Sequence, residues 1–314
     1  MCSSDLVEIY LPIAEQSMNV FVLLALGGAA GLLAGMFGVG GGFLATPLLI
    51  FVGIPPAVAV ASQANQVVAN SISSLQVQWR RGNVDLRMGL ILLLGGMVGS
   101  SAGVTLFTYL KRIGQIDFVI AVLYVVMLSA IGGLMMYESL GTWLKRRRNP
   151  TAPRGKLHTH YLVHRLPWKM RFYKSKLYIS AFLPIGLGFV IGVLSAILGV
   201  GGGFVLVPAM IYLLGMPTTV VIGTSNFQIL FVAANVTFLQ ATTNGTVDVV
   251  LALLLILGGV VGAPIGARIA AKLPGVVLRG LMAVLILAVA AELLTELLRT
   301  PASPYSIGLR EAQP

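Results

Sequence analysis

The sequence predicts an all-α integral membrane protein made of two tandem homologous repeats. Two observations carry this. The chain of 314 residues is 57% hydrophobic and only 10% charged, with apolar runs of membrane-spanning length throughout. A water-soluble domain of that size needs far more charge to cover its surface. The second observation is a doubled hexapeptide, Gly38-Val-Gly-Gly-Gly-Phe43 and Gly199-Val-Gly-Gly-Gly-Phe204, at an offset of 161 residues. Each copy follows a long apolar run and precedes a proline, Pro47 or Pro208. The same offset matches Gly31 with Gly192, Pro56 with Pro217, Asn65 with Asn226 and, more loosely, Ser74 with Asn235. After a two-residue insertion the register resumes at 163, where Gly82-Asn-Val-Asp85 faces Gly245-Thr-Val-Asp248.

The elements follow in order. Residues 1–19 form a mixed N-terminal extension in which Ile9 to Ile13 suits the start of a short interfacial helix. The first membrane repeat, 20–140, opens with the apolar run Val20 to Phe37, close to the ~20 residues needed to cross a ~30 Å core. After the glycines, Phe43 to Val52 reaches only about half way as a helix, and Pro55 and Pro56 end it. Ala57 to Gln78 is long enough to span yet unusually polar; Met88 to Leu110 and Ile116 to Tyr137 are further spans. A basic linker, 141–176, separates this from the second repeat, 177–299, which runs Leu177 to Leu198, Phe204 to Leu214, Pro217 to Gln240, Val247 to Ala271 and Leu278 to about Leu298. The tail, 300–314, reads as disordered. Each repeat thus holds about four spanning helices plus one short broken half-helix.

Charge sets orientation. Net charge is +11, and Lys145 to Lys176 holds eleven of the 21 basic residues and no acidic one. That segment and the loop with Arg80, Arg81 and Arg87 belong on the cytoplasmic side, and Ala241 to Thr246, without a basic residue, outside. Five alternating passes per repeat make the second repeat inverted relative to the first. Lys111 and Arg112 fall outside and count against this; treating the short segments as re-entrant would leave four spans and parallel repeats. The basic excess is that of membrane topology, and nucleic-acid binding is not expected. One cysteine, Cys2, excludes an intramolecular disulfide. No basic leader with a cleavage site precedes the first apolar run, so a cleaved signal peptide is not expected.

Three successive glycines inside a membrane segment cost about 1 kcal/mol each relative to alanine. Broken backbone at membrane depth persists only where protein or water receives its hydrogen bonds. The helix restarting at Phe43 has free N–H groups and a positive dipole end, a ready anion site. Gly40, Gly41, Gly42, Gly201, Gly202 and Gly203 are therefore the candidate backbone donors. The alternative reading is that these glycines only permit tight helix packing. On the segment after each break, Gln63, Gln66, Asn70, Ser73, Ser74 and Gln78 share one arc of about 140°. Thr224, Gln228 and Asn235 form a sparser stripe in the second repeat. Such a face points inward, to line a path or to hold helices together. Gln63, Gln66, Asn70, Thr224, Gln228 and Asn235 are the candidate lining residues; Asn65 and Asn226 lie off the arc.

The patterns Gly31-Leu-Leu-Ala-Gly-Met-Phe-Gly-Val-Gly-Gly-Gly-Phe43 with Pro47, and Gly192-Val-Leu-Ser-Ala-Ile-Leu-Gly-Val-Gly-Gly-Gly-Phe204 with Pro208, resemble the sulfite exporter TauE/SafE family. So do the Asn-Val-Asp and Gly-Gly-x-Val-Gly segments downstream. The resemblance covers roughly 20–138 and 178–299. It implies a multi-pass permease of the bacterial inner membrane for sulfite or organosulfonates. An anion channel, or a membrane scaffold recruiting a partner through the basic linker, are the competing readings.

The remaining signals are weaker. His158, His160 and His164 in the linker lack a carboxylate or cysteine to complete a metal site, so no metal or other cofactor is expected. Asp85 and Asp248 suit helix caps, with a gating or proton-linked role as the alternative. No nucleophile elbow or phosphate loop supports an enzyme. The expected partners are a small anionic substrate and membrane lipid, and a homodimer is compatible with this composition.

Overall fold

The computed structural model describes residues 8–37, 42–148, 169–172, 174–175, 177–272 and 275–298. Within them the chain is a helical membrane bundle. A hairpin of β1 (Glu8–Leu11) and β2 (Gln16–Asn19) leads into α1 (Val20–Phe37), α2 (Gly42–Phe51), α3 (Pro56–Arg80), α4 (Leu86–Arg112) and α5 (Ile116–Arg148). The series then recurs: a hairpin of β3 (Lys169–Phe172) and β4 (Leu177–Ser180), then α6 (Phe182–Leu198), α7 (Gly203–Tyr212), α8 (Thr218–Leu239), α9 (Val249–Lys272) and α10 (Gly275–Leu298). Among the described residues, four stretches are long and apolar enough to cross a membrane: Leu86–Arg112, Ile116–Tyr137, Thr219–Asn244 and Val249–Gly266. Their outward side chains, such as Leu94, Leu134 and Val261, are apolar and exposed, as lipid contact requires.

The hairpins correct two expectations. Ile9 to Ile13 lies in the β1–β2 hairpin rather than an interfacial helix, and Leu177–Ser180 is a strand rather than the first turn of a span. The linker is also shorter than expected. Lys145 to Arg148 continue α5, since Lys and Arg are good helix formers, and the second hairpin takes its other end. The three histidines and the tail lie outside the described residues.

Hydrogen bonds fix which helix ends meet. At the near end, Gln16 Nε2 donates to the Gly53 carbonyl (3.0 Å), and the Ile13 N–H to Asp248 Oδ2 (3.0 Å). Lys111 Nζ donates to the Asn244 carbonyl there (3.0 Å). At the far end, the N–H and Oγ of Ser175 both donate to Asp85 Oδ2 (3.0 and 2.6 Å), and the Asp85 N–H donates to Thr224 Oγ1 (3.1 Å). So α1 enters from the near end, α2 returns to it, and α3, α4 and α5 cross in turn to finish at the far end. From the far end α6 enters, α7 returns, and α8 to α10 finish near. The short helices do return to the end they came from. Since α1–α2 and α6–α7 each enter and leave at one end, the described crossings that remain are α3 to α5 and α8 to α10, an odd number in each series.

Packing exchanges the two series. α1 lies parallel to α9, backbone against backbone: a methyl on Gly31 would sit 2.4 Å from the Gly259 carbonyl oxygen. Likewise α6 lies along α4, where a methyl on Gly192 would sit 2.4 Å from the Gly96 oxygen. Only glycine lets membrane helices approach this closely. α3 packs on α8 and α5 on α10.

The aspartates are helix caps. Asp85 Oδ1 accepts the Met88 N–H (3.3 Å), and Asp248 Oδ1 the Leu251 N–H (3.1 Å). Each satisfies a first-turn donor of α4 or α9, while its other oxygen holds the hairpin of the opposite series.

Candidate functional site

The start of α2 meets the second break inside the bundle. Gly42 opens α2 with the Val67 side chain and the Val200 backbone against it, and the rings of Phe43 and Phe204 stack at 4.7 Å, 7° from parallel. Gly199, Gly201 and Gly202 have φ of +68°, +70° and +75°, the left-handed region that a Cβ penalises. This is how the chain reverses between α6 and α7 inside the bundle. Gly202 is the N-cap of α7 and provides no side chain, so the first amides of α7 lack a capping partner from it. Gly40 and Gly41 lie outside the described residues. Tyr124, from α5, donates to the Leu198 carbonyl and secures the end of α6.

Helices α3 and α8 flank the breaks. A methyl on Gly201 would sit 2.3 Å from Val67 Cγ1 and 3.0 Å from Ile229 Cγ2, so Val67 and Ile229 face each other across the second break. At 100° per residue, Ser71 lies one turn beyond Val67 on the same face of α3, and Asn226 one turn before Ile229 on that of α8. The helices run oppositely, so both displacements are toward the far end. Ser71 and Asn226 are buried, and neither Ser71 Oγ nor either polar atom of the Asn226 carboxamide has a hydrogen-bond partner. α2 runs from Gly42 to the near end, so its first N–H groups point toward this same level.

Gln63 lies one turn from Val67 in the other direction. It donates to Gln66 Oε1 (2.7 Å), and its own Oε1 is buried without a partner. The N–H groups of α7, which runs to the far end, point toward that level. Each broken helix therefore presents its amide end to a level holding unpartnered side-chain atoms.

The other expected lining residues go to different places. Gln66 Nε2 donates to the carbonyls of Gly27 (3.1 Å) and Leu255 (2.9 Å), tying α3 to α1 and α9. Asn70 is buried beside Gly259. Thr224 holds the Asp85 N–H, and Asn235 Nδ2 donates to Ser100 Oγ (2.9 Å) on α4. Gln228 is buried against Gly96 with both polar atoms unpartnered. Gln66 and Asn70 thus face α9, and Thr224, Gln228 and Asn235 face α4. They form two stripes rather than one lining.

The structure also corrects the register. Pro55 and Pro217 both cap the helix that follows, and Gly53 and Gly215 are both left-handed. Ser62 and Thr224 each accept the N–H of an aspartate, and Gln66 and Gln228 each pack on a glycine. All four pairs are separated by 162 residues. One inserted residue thus falls in the turn before α8, and the other in the π-helical turn Gln240–Asn244. Asn226 is therefore not equivalent to Asn65, whose Nδ2 donates back to the Ser62 carbonyl. Pro56 likewise gives way to Pro55. Ser71 lies off the polar arc of α3, which faces α9, and Asn226 off the stripe of α8, which faces α4, so neither stripe singles them out.

A family model described as "Sulfite exporter TauE/SafE" matches residues 23–293. A "Probable membrane transporter protein" of Xylella fastidiosa (strain 9a5c) is 31% identical over 245 residues, 77% of this chain and 81% of the relative. The "Probable membrane transporter protein YunE" of Bacillus subtilis (strain 168) is 26% identical over 289 residues, 89% of this chain and 98% of the relative. No solved structure gives a significant match. With its helical bundle of apolar spans and a family match across nearly all of them, this multi-pass membrane protein belongs to the sulfite exporter TauE/SafE family.

Proposed function

We propose that the protein is a secondary transporter, a permease moving small anions such as sulfite or organosulfonates across the bacterial inner membrane by alternating access. The observation that carries this reading is the meeting of two broken helices at the centre, with their amide ends directed toward buried, unpartnered polar atoms. Helix amide ends at the interface of two related halves are where transporters of this architecture hold anionic groups. We read the two series as inverted homologous halves, supported by the recurring element order, the exchanged packing and the opposite ends at which they start. The far end is the cytoplasmic one, since Arg80, Arg81, Arg87 and Lys272 gather there. Rocking of one half on the other, along the α3–α8 contact, would alternate access. The family and relatives' names support transport of this class.

The test is uptake of radiolabelled sulfite, sulfoacetate and taurine by liposomes holding the purified protein, beside liposomes holding Gly202→Leu. Saturable uptake by the wild type, lost in the variant while the protein remains inserted, is the expected result. Undiminished uptake by the variant would remove the site.

A further inference from the structure

The unpartnered atoms at the break include acceptors as well as donors. At the level of Ser71, Asn226 Oδ1 can only accept a hydrogen bond, Asn226 Nδ2 can only donate one, and Ser71 Oγ does either. An anion whose oxygens are all acceptors satisfies the donors and leaves Asn226 Oδ1 buried and unpaired, facing negative charge. Charge is limited too. Every lysine and arginine whose burial the structure describes is exposed, and none enters the core. What opposes an anion's charge at this level is the partial charge at the α2 amide end, roughly half a unit. The cost of burying an ion rises steeply with its charge, so this interior favours one negative charge over two.

Resting on the transport reading above, we propose that the site selects a singly charged sulfur oxyanion carrying its own hydrogen-bond donor. Hydrogen sulfite in its O–H form, or a sulfonate with a hydroxyl group, fits; the sulfite dianion and a plain alkyl sulfonate do not. The anionic oxygens take the α2 amide end, Asn226 Nδ2 and the Ser71 hydroxyl. The ligand's O–H goes to Asn226 Oδ1, the acceptor that an aprotic anion leaves idle.

Two probes of nearly equal size and equal charge isolate the donor: 2-hydroxyethanesulfonate and propane-1-sulfonate. Each is measured as an inhibitor of labelled sulfite uptake and, separately, as a thermal stabiliser of the purified protein. The hydroxylated sulfonate is expected to act at about tenfold lower concentration in both, the effect of pairing one buried acceptor. In Asn226→Leu, which keeps the branched shape and removes the acceptor, stabilisation by the two probes is expected to converge. Equal or reversed potency on the wild type overturns the proposal, as does a preference that persists undiminished in Asn226→Leu. Absence of sulfite uptake alongside a retained preference in stabilisation would refute sulfite transport and leave the selectivity standing.

Discussion

Gly201→Ala tests how the second break is built. The residue holds φ of +70°, and its new methyl would lie 2.3 Å from Val67 Cγ1 and 3.0 Å from Ile229 Cγ2. The left-handed backbone alone costs an alanine about 1–2 kcal/mol. Forcing a methyl into packed side chains costs about 1–3 kcal/mol more. Gly215 isolates the first contribution, because it has φ of +72° and nothing within 4 Å of its added methyl. Gly215→Ala should therefore lose about 1–2 kcal/mol, and Gly201→Ala about 2–5 kcal/mol, by the sum of those two effects. Adding Val67→Ala to Gly201→Ala should restore part of the steric share and none of the backbone share. Gly133→Ala in α5, helical with open space, should gain about 1 kcal/mol. The assay is thermal unfolding of the detergent-purified proteins. If Gly201→Ala unfolds no earlier than Gly215→Ala, the close packing of Val67 on the break is wrong.

Other outcomes follow from the same contacts. Gln66→Leu removes two hydrogen bonds to the carbonyls of Gly27 and Leu255 and the acceptor of Gln63, so it should cost about 1–3 kcal/mol in the same unfolding assay. Asp85→Ala loses a helix cap and the anchor of Ser175, and should cost about 1–2 kcal/mol while exposing the β3–β4 hairpin to limited proteolysis. Ser175→Ala should expose the same hairpin with a smaller loss of stability. Gly31→Leu would drive a side chain into the Gly259 backbone, and should leave little folded protein recoverable from detergent extracts.

The doubled Gly-Val-Gly-Gly-Gly-Phe showed where the fold turns back on itself, because three consecutive glycines disfavour a helix, whereas single ones such as Gly31 serve close packing. The caps at Asp85 and Asp248 were legible for a similar reason: an aspartate just before an apolar run satisfies orphan amides. The hairpins were not legible. Strands of four residues carry too little periodicity to separate Glu8–Leu11 or Leu177–Ser180 from a helix edge. The polar arc of α3 did point inward, but pattern alone does not tell which neighbour a face meets. Gln66 turned out to bridge two backbones, and Asn235 to hold α4. Asn226 was paired with Asn65 by a one-residue register error, since the turn ending at Pro217 is one residue longer than that ending at Pro55. An insertion in a turn is silent until the helix caps are seen.

Counterflow tests the central claim most directly. Liposomes containing the protein are loaded with unlabelled sulfite and diluted into a trace of labelled sulfite. A carrier with one central site that opens alternately to each side should transiently accumulate label above its equilibrium level. Simple equilibration without an overshoot would mean a continuous pore and contradict alternating access, and no movement of label would contradict sulfite transport itself.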